Sequence, residues 1–147
     1  MTGTMTDKEE LLNFIYKNAQ MGKDSIGYLL DVVNDTDMRK FLQEQQTEYG
    51  TIMEEANSIM QQDHTQPHGV GNMAKISAYM MVNMKTMTDN TPSHIAQMMI
   101  EGSTKGTIEI TKKLKLYEGI DKQAEKLGKR LLTMEEHNID KLKEFLA

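Results

Sequence analysis

The chain has 147 residues, 17 Lys and Arg against 22 Asp and Glu, and no Cys or Trp. Absence of Cys excludes disulfides, thiolate metal sites and cysteine nucleophiles, and the net charge of −5 argues against a general phosphate-binding surface. Leu, Ile, Val and Phe make up only 30 residues, and 14 Met lift the apolar share to 38%, so methionine is expected to fill part of a thin core.

The first ten residues hold no basic segment followed by an apolar run, so no secretory leader is expected. No apolar stretch approaches the ~20 residues of a membrane span. The expectation is a cytoplasmic protein of one domain, residues 1–147, with no membrane and no nucleic-acid partner. Residues 1–6 are expected to be a disordered lead-in.

A helix is expected over 7–33. Thr6 and Glu9 form a capping box, and Leu12, Ile15, Ala19, Gly22, Ile26, Leu29 and Val33 recur at steps of three and four. After the polar turn Asn34–Asp37, a second helix is expected over 37–62, with Met38, Leu42, Gln45, Tyr49, Ile52, Ala56 and Ile59 on its seam. The turn between them is short, which makes the two helices an antiparallel pair. The stretch Asp63–Gly71 has turn chemistry and no periodicity. Its His64 and His68, with Asp63, are a weak divalent-ion candidate because Pro67 makes the segment a loop.

A shorter helix is expected over 72–88. Met80, Met84 and Met87 share one of its faces, suited to packing or to a partner; thioethers at such spacing also suit copper(I). Thr91 and Pro92 restart the chain into a helix over 92–118. Its seam is Ala96, Met99, Ser103, Gly106, Ile110, Leu114 and Tyr117. Gly119 stops it. A last helix over 121–146 carries Ala124, Leu127, Leu131, Met134, Asn138, Leu142 and Phe145.

Two features of these seams stand out. Ala19, Gly22, Ala56 and Gly106 are small, implying close backbone approach or a gap that another group fills; a small apolar ligand beside Gly22 and Gly106 is one such filler. Gln45, Ser103 and Asn138 are polar and require partners if buried, as a buried polar layer or as the remnant of a ligand site.

Paired long helices, a long second crossover, Glu101-Gly-Ser103 and Glu135-Glu136-His137-Asn138 together resemble the ferritin-like superfamily, in particular its small bacterial bundle proteins. The resemblance implies an all-α, ferritin-like four-helix bundle with a short extra helix in the crossover between helices two and three. It also implies metal ligands, which proteins of that kind hold as Glu on two helices and Glu-x-x-His on two. This chain departs from that set. The first helix has no central carboxylate, Glu48-x-x-Thr51 lacks the His, Ser103 stands where Glu is expected, and Asn138 replaces His with His137 one place early. A standard di-iron centre is therefore not expected. A rearranged set of Glu48, Glu101, Glu135 and His137, or a Met-rich copper site, is the alternative, with iron, manganese or copper as the metals. No cofactor is otherwise expected. No catalytic constellation or phosphate loop is present. The leading expectation is a non-enzymatic bundle acting by self-association, as a homodimer, or by protein contact.

Overall fold

A computed structural model describes residues 5–86 and 89–147, with the side chains of residues 73, 77, 80, 84 and 85 outside the description. The fold is all-helical: α1 (Asp7–Leu30), α2 (Thr36–Gln62), α3 (Asn72–Thr86), α4 (Pro92–Leu116) and α5 (Lys122–Leu142), closed by a 3-10 turn, Lys143–Phe145. No strand occurs among the described residues.

Side-chain caps start four of the helices. The hydroxyl of Thr6, the carboxylate of Asp35, the hydroxyl of Thr91 and the carboxylate of Asp121 each accept an amide N–H three residues on, satisfying donors that the first turn leaves unpaired. Thr6 is thus an ordered cap rather than part of a disordered lead-in; residues 1–4 lie outside the described residues.

Three helices end earlier than periodicity suggests. α1 stops at Leu30, where Arg39 Nη1 donates to the Leu30 and Val33 carbonyls at 2.6 and 2.8 Å, yet Val33 stays buried as an anchor beyond the helix. α4 ends at Leu116, three residues before Gly119 takes φ +78°, a conformation glycine adopts without strain. α5 passes into the tighter turn at Lys143 instead of continuing to 146.

The seam positions become the core. Leu12, Ile15 and Ala19 of α1, Leu42, Ile52 and Ala56 of α2, and Leu131 and Leu142 of α5 are fully or almost fully buried, as are Ala96 and Ile110 of α4. Each large aliphatic side chain withdrawn from water contributes about 1.5–3 kcal/mol. Methionine fills part of this core: among the described side chains Met38, Met60 and Met134 are buried and Met53, Met98 and Met99 pack partly buried against it, whereas Met81 is exposed.

Specific contacts set the helix directions. Gln46 Nε2 reaches the Lys23 carbonyl and Arg39 the end of α1, so α1 and α2 are antiparallel. Asn90 Nδ2 donates to the Val32 carbonyl at one end and the Tyr117 hydroxyl to Glu10 at the other, so α4 runs antiparallel to α1. Arg130 meets Glu55 at 2.6 Å, and the Phe41 and Phe145 rings lie 5.9 Å apart, so α5 runs antiparallel to α2. α2 and α4 therefore point the same way. The connection between them, 63–91, must return along the fold, and it carries α3.

That connection is fastened to α1. Asn13 Oδ1 accepts the His68 N–H at 2.6 Å, and Gln20 Oε1 accepts the Val70 N–H at 2.7 Å. Lys8 pairs with Asp63 at 2.8 Å, so the acid proposed to sit with His64 and His68 already has a cation beside it. α3 lies on α1, with Tyr79 edge-on to Tyr28 at 5.3 Å.

The glycines on the seams play opposite roles. A Cβ at Gly22 would meet the Tyr49 ring at 2.5–2.8 Å, whereas one at Gly106 would meet nothing nearer than 3.7 Å. The space beside Gly22 is thus filled by Tyr49, which leaves no gap there for the small apolar ligand, one alternative filler. Gly22→Ala is expected to lower stability by about 1–3 kcal/mol through overpacking, and Gly106→Ala to raise it by about 0.5–1 kcal/mol through helix propensity. Urea unfolding of the two variants beside the parent checks both signs.

Candidate functional site

Across the middle of the fold runs a polar cluster drawn from three helices. Its centre is Glu135 of α5, 3% exposed. The Tyr49 hydroxyl of α2 donates to Glu135 Oε1 at 2.6 Å, and Ser103 of α4 hydrogen-bonds in the same cluster. Gly106 leaves room for the carboxylate, with Glu135 Oε1 3.9 Å and Asn18 Nδ2 3.7 Å from where its Cβ would stand. One turn away on the same faces lie Gln45 and Asn138, 0% and 1% exposed. The antiparallel α2 and α5 bring them to one level, as they bring Tyr49 to Glu135.

The cluster is under-satisfied. Both amide atoms of Gln45, Nδ2 of Asn138 and Oε2 of Glu135 are buried without a hydrogen-bond partner, a costly state for polar groups. Burial pushes the Glu135 carboxyl up, and hydrogen bonds from Tyr49 and Ser103 partly offset this. No neighbouring cation contributes to that balance. Burial, with the adjacent Glu135 carboxylate, likewise holds the Tyr49 hydroxyl well above its ordinary value. Such a pair can hold a proton but presents no open face on which to act.

The residues singled out from sequence go to three places. Gln45, Ser103 and Asn138 share the interior level, Ser103 half-buried and the others fully so. Of the metal candidates, Glu135 joins them. Glu48 and His137 sit together in a surface groove between α2 and α5; desolvation raises the Glu48 carboxyl and His137 opposes that shift. Glu101 is exposed, beside Gln97 of its own helix. The four do not converge: one is interior, two are in the groove, and one is outside. Among the described residues no group of three or more His, Asp or Glu is arranged to hold a metal. The expected interface side chains Met80, Met84 and Met87 lie outside the described residues.

Tyr49 was legible only as a seam residue; the signal for its role was a bulky aromatic on a seam whose neighbouring helix offers Gly22. α3 also carries large exposed apolar side chains: Ile76, Tyr79 and Met81 are 55%, 48% and 56% exposed. Scattered exposed apolar residues are ordinary. Here three large ones lie within six residues of one helix.

No family model and no curated protein matches the chain. Among solved structures it is similar to YcfI from Rhodopseudomonas palustris, described as "a putative structural protein", at 12% identity and a TM-score of 0.54, over 95% of this chain and 94% of that one. At that identity the likeness concerns the helical fold alone. No helix among the described residues is long and apolar enough to cross a membrane.

The buried carboxylate links stability to pH. Its folded-state value is raised above the ordinary 4.5, so the stability tied to the protonated form is complete below that pH and is lost as pH rises through the folded value. Glu135→Gln, which stays neutral, is expected to be more stable than the parent at neutral pH, with the advantage vanishing below the ordinary carboxyl range. Tyr49→Phe leaves Oε1 without its donor and is expected to cost about 1–3 kcal/mol. It also moves the titration window upward, because the hydroxyl now lowers the Glu135 value. Denaturation midpoints between pH 3 and 8 measure all three effects.

Proposed function

We propose that the chain is a ferritin-like four-helix bundle, α1, α2, α4 and α5, with α3 in its crossover, and that it works without catalysis by self-association in the cytoplasm. Support for the bundle is the direction of the helices: α2 and α4 are parallel, so a long connection must join them, as in bundles with one crossover. The description of YcfI as structural is in keeping with a non-enzymatic role.

The observation that carries self-association is the exposed apolar surface of α3. This helix rests on α1, and it still leaves Ile76, Tyr79 and Met81 about half exposed. Large apolar groups grouped on one element favour a protein neighbour over water. Charge favours a second copy as that neighbour. Within 64–88 the only formal charges are Lys75 and Lys85, whereas residues 1–72 hold 5 basic against 12 acidic side chains. Two copies can thus set a cationic apolar helix against an acidic body.

A metal-binding bundle is the second reading, and one observation favours it: Glu135 Oε2 lies unpartnered in the same interior layer as the unpartnered amides of Gln45 and Asn138. Elemental analysis of protein purified without chelator or affinity metal separates the readings; stoichiometric iron, manganese or copper supports the second.

Size-exclusion chromatography with light scattering at tens of micromolar is expected to give a dimer mass. Ile76→Glu with Met81→Glu is expected to return it to the monomer with an unchanged helical circular-dichroism spectrum. A parent that is monomeric throughout that range contradicts the self-association reading.

A further inference from the structure

A cavity separate from the interior polar cluster and from α3 opens on the α2–α5 side of the fold. It is a groove between the middle of α2, residues 47–52, and residues 126–137 of α5, about 670 Å³ in volume, within the size range of small-molecule sites. Ile52 and Met134, both largely buried, form its floor. Its sign is opposite to that of the whole chain: Lys126, Lys129 and Arg130 line it against one acid, Glu48, while the chain carries −5.

The donors left in the groove are mostly cationic. Thr47 and Thr51 give their hydroxyl protons to carbonyls one turn back, Gln43 and Thr47, each at 3.1 Å. Lys129 is paired with Glu125 at 3.1 Å and Arg130 with Glu55 at 2.6 Å. Lys126 has no ion-pair partner among the described residues and stands exposed on the same wall. At the far end is His137, eleven residues along α5 from Lys126, or roughly 16 Å at the helical rise.

We propose that this groove binds a free amphipathic monoanion, with the anionic head at Lys126 and the apolar tail along Ile52 and Met134 toward His137. Unspent positive charge at one end, an apolar floor and an α2 wall whose hydroxyl protons are already used select a ligand with one charged end and an otherwise apolar body. The site is independent of the α3 face, so its failure leaves the self-association reading untouched.

The test uses decanoate, decyltrimethylammonium and decanol below their aggregation concentrations, each titrated into the full-length protein by calorimetry and by amide NMR. Decanoate is expected to bind with submillimolar affinity and to shift the amides of Thr47, Thr51, Thr133 and His137, while decyltrimethylammonium does not. Lys126→Ala should weaken decanoate binding about threefold to tenfold, and Lys112→Ala, on α4, should leave it unchanged. The proposal is overturned by equal shifts from all three probes, by decanoate shifts confined to α3, by an unaltered affinity in Lys126→Ala, or by no binding at millimolar decanoate. Association with phosphatidylglycerol vesicles in place of decanoate would also overturn it, because the anion would then belong to a membrane surface.

Discussion

Much of the interior depends on the position of one side chain. The Tyr49 ring lies against Gly22, close enough that a single added methyl would overlap it, and its hydroxyl is held by Glu135. One residue of α2 thereby fixes the spacing to α1 through its ring and the register with α5 through its oxygen. Ser103 extends the same set of contacts to α4. Dispersion alone would let helices of Leu and Ile slide with small loss, because such packing is non-directional. A hydrogen bond to a buried carboxylate is directional and costly to break, so it selects one register.

This arrangement carries a cost. Glu135 is an ionisable group buried without a cation, and Gln45 and Asn138 on the neighbouring level have polar atoms with no partner. A core of hydrocarbon at those positions would be more stable. Retention of polar groups where they weaken the fold is the pattern seen when register, or a guest, matters more than maximal stability. The carboxylates singled out with Glu135 are scattered: Glu48 lines a surface groove and Glu101 is exposed on α4. The layer therefore reads as a device of architecture.

The crossover ties these parts together. It must travel back along the fold because α2 and α4 are parallel, and a bare return of that length would cost conformational entropy. Asn13 and Gln20, polar residues of α1, bind its backbone at His68 and Val70, and Lys8 holds Asp63. These are side chains that a helical-wheel reading assigns to solvent. They instead hold the incoming loop, which leads into α3 on the surface of α1.

Local information decided much of this protein. Helix number, the caps Thr6, Thr91 and Asp121, and the core seams of α1, α2 and α5 follow from spacing and capping chemistry, which act within a few residues and are written in the order of the chain. The buried placement of Gln45 and Asn138 was legible for the same reason, since a position on an apolar stripe is buried whatever its side chain. What only the tertiary structure decided are relations between helices. That Tyr49 would fill the space at Gly22, that Glu135 would turn inward while Glu101 and Glu48 remained outside, that Arg39 would end α1 early, and that Lys126, Lys129 and Arg130 would meet Thr47 and Ile52 across a groove all depend on the rotation and register of helices 20 or more residues apart or on a side chain reaching across a turn. No periodicity encodes those angles; they are set by which ring, glycine or carboxylate fits when the faces meet.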